Sequence, residues 1–171
     1  MIVAIDGRSG VGKSTLAGEL AQLLGATVID GDDFFAGGVT LRSDDPQQRA
    51  ADCIDWRRLR PVLEALRKGQ PASWHAFDWE AFDGSLEQTS TVARSSRFVV
   101  LEGVYSGRPE LADLVDLRIV VRMPEARRMR QLVEREGTLG PWELQWHEAE
   151  EHYFSHTMPA ERFDLIIDVE D

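Results

Sequence analysis

Gly7-Arg8-Ser9-Gly10-Val11-Gly12-Lys13-Ser14 is the stretch on which the reading of this chain turns. It follows an apolar run, Ile2-Val3-Ala4-Ile5, that reads as a buried strand, and it precedes Leu16, Leu20, Leu23 and Leu24 at helical spacing. A glycine-rich turn between strand and helix lets successive backbone N–H groups point inward, and the helix adds the positive end of its dipole. Such a cradle takes anionic phosphates. Gly7, Ser9, Gly10, Val11 and Gly12 shape it, while Lys13 has the reach for β- and γ-phosphate oxygens. The Ser14 hydroxyl is placed to ligate Mg²⁺, with Thr15 as a supporting hydroxyl. Lys13 and Lys68 are the only lysines in a chain that otherwise uses arginine, which points to a specific task for the one in the loop.

Outward from the loop, 171 residues with 43% hydrophobic and 29% charged composition predict one domain, 1–171, with a single core. No apolar run approaches membrane-spanning length, and Met1 leads straight into a core strand, so a cytoplasmic protein is expected. The single cysteine, Cys53, excludes an internal disulfide and a cysteine metal cluster. A net charge of −11 argues against a broad nucleic-acid surface. Ala36 to Pro46 and Asp83 to Ser96 are rich in Gly, Ser, Thr and Asp and read as loops.

A second strand, Ala26 to Asp30, ends in Asp30-Gly31-Asp32-Asp33-Phe34-Phe35, which puts carboxylates at a strand's carboxyl end, the edge where open α/β sheets bind ligands. A carboxylate there can accept a proton from an attacking hydroxyl, and repulsion between Asp32 and Asp33 raises one of the two pKa values. Asp55 opens a helical stripe of Leu59, Val62, Leu63 and Leu66. It reads equally as an N-cap and as a ligand for sugar-like hydroxyls. Trp74-His75-Ala76-Phe77-Asp78-Trp79 mixes aromatic faces with polar tips, suited to a flat-ring pocket or to ordinary strand packing. A third strand, Arg97 to Leu101, delivers Glu102 to the same edge, where an acid holds Mg²⁺ or reaches the acceptor.

The fourth strand, Leu117 to Val121, leads through Pro124 into an arginine-dense helix on which Arg128 and Arg135 share a face. Arginines there can clamp a transferring phosphoryl group or pair with Glu125, Glu134 and Glu136. Gly137 to Pro141 breaks that helix, and a second follows to Phe154. His147 and His152 lie on it five apart, not at metal-binding spacing, and read as surface or packing residues. Phe163 to Ile167 is a fifth strand. The alternation predicts an α/β, three-layer phosphate-loop kinase fold with a five-stranded, largely parallel sheet and a helical lid at about 124–155.

Taken together, IDGRSGVGKSTLA, VIDGDDFF, VVLEGVY, the arginine-bearing lid helix and the closing DLIID strand resemble the uridine kinase-like branch of phosphate-loop kinases. The DDFF stretch also looks like nicotinamide riboside kinases. The resemblance implies Asp32 as general base with Asp33 beside it, Asp55 on ribose hydroxyls, and Phe77-Asp78 at the base-binding segment, to which the aromatic stretch itself adds Trp79 as a candidate acceptor contact. Phe77 stands where the family has a phenol, and the lid lacks the family's second set of arginines. Lys13 and one or more of Arg128 and Arg135 are then expected on the transferred phosphoryl group, and Ser14 and Glu102 at the metal, directly or through water.

The expected cofactors are ATP and Mg²⁺, and the expected partners are ATP and a small-molecule acceptor, with a homodimer left open and neither nucleic acid nor membrane involved. A nucleoside or nucleoside-like alcohol leads as acceptor. The alternatives are another small alcohol (a vitamin precursor, a sugar acid or an antibiotic) and a non-catalytic ATP-binding regulatory module. Three aspartates where a phosphate-bearing acceptor wants arginine make a nucleoside monophosphate kinase less favoured, with Arg42 and Arg49 keeping it open. The absence of asparagine excludes the guanine-reading motif of regulatory GTPases.

Overall fold

The computed structural model describes residues 1–170, Glu136 through its backbone alone. The chain runs β1 (Ile2–Asp6), α1 (Lys13–Leu24), β2 (Thr27–Asp30), α2 (Pro46–Asp52), α3 (Trp56–Arg67), β3 (Ala72–Trp74) and β4 (Thr91–Ala93). It continues through β5 (Val99–Glu102), β6 (Leu117–Arg122), α4 (Glu125–Glu136), α5 (Pro141–His152) and β7 (Leu165–Asp168). Five strands form a parallel sheet in the order β2-β5-β1-β6-β7, as the alternation predicted. β1 lies at its centre and is buried along its whole length, which is why it is apolar without alternation.

Register brings the acidic strand ends to one level. Glu102 pairs with Ile5 on one side and with Asp30 on the other, and Asp6 faces Val120. The chain leaves β1 for β2 across β5, and leaves β5 for β6 across β1, so the loop after β1 sits where the order of winding reverses. Crevices at such points are where open α/β sheets hold ligands.

Each face of the sheet has its own core. Val3, Ile5, Ala17, Val100, Ile119 and Val121 pack on the α1 side, with Leu16 and Leu20 half-buried against them. Leu23, which shares the helical spacing, is 79% exposed. The opposite core is larger and takes the α3 stripe of Leu59, Val62, Leu63 and Leu66, together with Trp146 and Ala149 of α5. Asp55 caps α3 by accepting the N–H groups of Arg57 (3.1 Å) and Arg58 (3.2 Å) on one carboxylate oxygen.

One expectation is corrected. The Asp83–Ser96 stretch read as loop contains β4, which pairs antiparallel with β3 as a separate two-stranded ribbon. Strands of three residues carry too little periodic signal to stand out from their Gly- and Ser-rich surroundings. No helix among the described residues is long and apolar enough to cross a membrane.

Candidate active site

The phosphate-binding loop is held from below by Asp6, the one polar residue of β1, which is fully buried. Its carboxylate accepts four hydrogen bonds: from the N–H groups of Gly7 (2.8 Å), Tyr105 (2.9 Å) and Gly107 (2.8 Å) and from the Tyr153 hydroxyl (2.9 Å). Burial raises its pKa to about 6 against the opposing pull of these donors and of Lys13. Gly7 can have no side chain here, since a Cβ would come within 2.5 Å of the Val121 carbonyl oxygen and φ is +147°. At the far end of the loop Gly12 adopts the left-handed conformation that opens α1. Lys13 is buried and its ammonium donates to the Arg8 carbonyl (3.0 Å), which holds it curled over the loop.

Ser9 is gripped by both lid helices. Glu150 of α5, itself buried, accepts the Ser9 N–H (3.2 Å) and hydroxyl, and Arg128 of α4 donates to the Ser9 carbonyl (3.1 Å). Arg8 pairs with Glu125 and Glu151 on the same two helices. Arg128 is only 3% exposed and also grips Glu125 in a bidentate pair (2.9 and 2.6 Å). Arg128 thus ties the loop to α4 through Ser9 and Glu125. Arg135, one face-repeat further along α4, lines the adjoining cleft and lowers the pKa of Asp32 by its charge.

Across the loop stand the acids of β2 and β5. Glu102 has its carboxyl held above its usual range by burial and by the neighbouring charge of Asp30, with the nearby Ser14 hydroxyl and Lys13 pulling the other way. Asp30 caps the turn after β2 by accepting the Asp32 N–H (2.9 Å). That leaves the Asp32 side chain in the recess between loop and lid. It is solvent-accessible through the open mouth yet walled by protein on its other sides. This partial desolvation, followed by the charge of Asp30, raises its pKa to about 6 against Lys13, with Glu150 raising it further. Asp33 turns away from the recess. Its carboxylate accepts the Trp74 indole N–H (2.7 Å), and its carbonyl accepts the Phe77 N–H (2.8 Å).

The cleft that opens from Asp32 has a volume of about 650 Å³. One wall is aromatic: Phe35 from the turn after β2, Trp79 and Phe82 from the β3–β4 connection, and Trp142 and Trp146 from α5. Neighbouring rings pack at centroid distances of 5.0 to 6.2 Å, mostly edge to face. The ring of Trp146 lies against Gly37, where any Cβ would collide with it. Among the described residues only Phe82 (φ 45°) and Tyr105 (φ 69°) carry a side chain at positive φ, and both line this cleft. Strained backbone of this kind collects at functional sites.

Of the sequence-predicted acceptor residues, Asp32 and Trp79 line the cleft. Phe77 is 3% exposed and packs beneath Phe35, Trp79 and Phe82. The Asp78 carboxylate closes a turn on the N–H groups of Glu80 (3.1 Å) and Ala81 (2.8 Å), so both residues hold up the wall without facing the cavity. Asp55 is likewise committed to its cap, and Glu102 sits at the loop beside Ser14. Sequence reasoning missed Asp6 and Glu150 at the loop and Phe35, Phe82, Trp142 and Trp146 in the wall. A lone aspartate ending an apolar strand was a usable signal for Asp6. Nothing local marks Glu150 among the acids of its helix.

No family model matches the chain. It is 28% identical over 124 residues to the inorganic pyrophosphatase TTM1 of Arabidopsis thaliana, a match that covers 71% of this chain and 18% of that protein. It is 44% identical over 66 residues to the bifunctional pantoate ligase/cytidylate kinase of Gloeobacter violaceus, covering 39% of this chain and 12% of that one. The chain thus spans less than a fifth of the length of these curated relatives.

Among solved structures it superimposes on a "possible uridine kinase" from Bacillus stearothermophilus with a TM-score of 0.68 at 20% identity, covering 98% of this chain and 88% of that one. Phosphoribulokinase from Rhodobacter spheroides gives 0.65 at 16% identity, with 98% and 69% covered. D-glycerate 3-kinase from Cryptococcus neoformans gives 0.65 at 13%, with 98% and 86% covered. The fold is that of the uridine kinase-like phosphate-loop kinases.

Proposed function

We propose that this chain is an ATP- and Mg²⁺-dependent small-molecule kinase that moves the γ-phosphoryl group to a hydroxyl of a nucleoside or nucleoside-like acceptor. The observation that carries this reading is the position of Asp32, an exposed carboxylate at the end of β2 that lines the cleft together with Arg135 and feels the charge of Lys13, with its pKa raised to about 6 in support. A base titrating just below neutral pH is ionised when needed and still basic enough to take a proton. The acceptor hydroxyl oxygen attacks the γ-phosphorus, its proton passes to the Asp32 carboxylate, and the bond from γ-phosphorus to the bridging oxygen breaks to leave ADP. Lys13 and Arg135 neutralise charge on the transferring group, and the backbone N–H groups of the loop hold the remaining phosphates.

Ser14 and Glu102 offer hard oxygen donors side by side, which fits Mg²⁺, with the nucleotide phosphates as the other ligands. The ion supplies charge neutralisation on the β- and γ-phosphates.

Kinases for other small alcohols are the second reading. The burial of Phe77 supports it, because no polar group is offered at the position where the family has a phenol. ADP release with MgATP against nucleosides, ribosides, pantothenate, sugar acids and aminoglycosides tests both. Stimulation by a nucleoside supports the first. Stimulation only by another alcohol replaces it with the second, and tight ATP binding with no acceptor-dependent rate leaves a nucleotide-binding module.

A further inference from the structure

Among the described residues only two aromatic side chains are exposed, Trp79 (44%) and Phe82 (37%), and both stand in the wall of the cleft that opens from Asp32. They lie near parallel in the β3–β4 connection, with ring centroids 6.2 Å apart at 24°. The Phe82 ring also meets Trp142 of α5 edge to face at 5.1 Å, which joins this connection to the lid helix. Every other described aromatic ring is buried or half-buried, so the chain keeps its open ring surface at one place, inside the cleft. Apolar surface in such a setting is area for a ligand to cover.

The backbone holds Phe82 there against its own preference. The Asp78 carboxylate accepts the N–H groups of Glu80 and Ala81, and the Asp78 carbonyl accepts the Phe82 N–H (3.0 Å), which closes one helical turn. Phe82 ends that turn in the left-handed region at φ 45°, where glycine or asparagine is the ordinary residue and a bulky side chain is strained. The ring is not buried in return, so packing alone does not account for it. A local rule broken beside a cleft, with no gain in burial, points to a ligand. The polar groups near the wall are meanwhile spent on the protein itself. Asp33 accepts the Trp74 indole N–H, Asp55 caps α3, Asp78 closes its own turn, and the Trp142 indole N–H donates to the Gly38 carbonyl (3.2 Å).

We infer that the acceptor carries its hydroxyl on a flat, weakly polar ring, that this ring is read by stacking on the aromatic wall, and that Phe82 is the residue selecting for it. The placement of the hydroxyl at Asp32 rests on the kinase reading, and the recognition of the ring rests on the wall alone. Nucleosides and other ring-borne alcohols are read alike, by the face of the ring and not by its edge. Sugar acids and open-chain polyols are set aside.

Two pairs of probes isolate the ring. Adenosine is compared with methyl β-D-ribofuranoside, which keeps the sugar and lacks the base, and benzyl alcohol with cyclohexylmethanol, which keeps the size and loses the flat face. Binding is read by calorimetry and tryptophan fluorescence on the full chain saturated with Mg²⁺ and a non-hydrolysable ATP analogue, and turnover by ADP release with MgATP. The flat member of at least one pair should bind about tenfold more tightly than its partner. Phe82→Gly, which suits the left-handed backbone, should cut that preference about threefold or more while the urea midpoint stays within about 0.3 M. Phe82→Tyr should retain the preference, and Val92→Ser, at a 65% exposed position on β4, should leave it unchanged. Phe82→Leu, which keeps apolar bulk without a flat face, gives the same reading should the glycine variant unfold. Equal binding within both pairs, or a preference that loss of the Phe82 ring leaves intact, overturns the inference, and the kinase reading then stands or falls on ADP release. A ring preference that depends on Phe82, with no ADP release from these probes or from the acceptor panel above, sustains the inference and removes the kinase reading.

Discussion

The phosphate-binding loop and the aromatic cleft share Ser9 and little else. The loop is a closed network in which Asp6 takes four donors, Lys13 lies on the loop's own carbonyl, and Ser9 is gripped through N–H, hydroxyl and carbonyl. The cleft is built from six separate stretches of chain, is lined by two side chains whose buried polar atoms have no partner among the described residues, and keeps two residues at positive φ. A fully paired network is rigid, whereas strained backbone and unpaired polar groups collect where a structure has work to do. The two regions meet at Asp32, which belongs to the cleft by position and to the loop through the charge of Lys13.

The largest effect should come from the base of the loop. Asp6→Ala leaves the N–H groups of Gly7, Tyr105 and Gly107 and the Tyr153 hydroxyl without their acceptor, and each orphaned buried group costs about 1–3 kcal/mol. A loss of at least about 3 kcal/mol in urea unfolding is expected, and a loss below about 1 kcal/mol would show that the network is not what holds the loop. Asp32→Asn sits on the other side of the comparison. It should lower turnover about 10²-fold or more while leaving ATP affinity within about twofold. Near-normal turnover would remove Asp32 from the role of base.

The pH dependence sharpens the boundary between them. A base with its pKa raised to about 6 is active when ionised, so kcat/KM should be flat above that value and fall tenfold per unit as pH drops below it. The folded pKa of Asp6 is also about 6, but Asp6 titrates a structural contact. Raised values of this kind mean that the folded state holds protons the unfolded chain releases between about pH 4 and 6. Stability from these groups is therefore present at low pH and declines as pH rises through that window. Activity and stability should move in opposite directions across it, measured by initial rates and by denaturant midpoint on the same samples. An acid limb unchanged in Asp32→Asn would assign the profile to another group.

The smallest effect is expected at Asp55. As a cap, Asp55→Ala should cost about 1 kcal/mol, a fall of about 2–4 °C in Tm for a chain of this size, with acceptor KM unchanged. A rise in acceptor KM without loss of Tm would return Asp55 to the acceptor site.

Asp55 shows why part of the site was not legible. An aspartate before an amphipathic run reads equally as cap and as ligand, and the choice depends on which donors the fold brings to it. Phe77 and Asp78 were recognised as a segment, but their burial under Trp79 and Phe82 is decided by the β3–β4 ribbon, whose strands are too short to announce themselves. Arg128 and Arg135 lie on one helical face, yet α4 packs so that the first reaches Ser9 and the second the cleft. No spacing rule separates them.

By itself, the sequence determined the phosphate-binding loop, the five parallel strands and the acidic strand ends, because each depends on neighbours a few residues away: glycines that allow a turn, apolar runs buried on both faces, and a helix dipole that follows. Only the tertiary structure decided which carboxylates face the cleft, that Glu150 and Arg128 secure Ser9, and that five aromatic side chains from three segments share one wall. Those relations join residues more than a hundred positions apart, and they exist only once the lid helices pack across the open edge of the sheet.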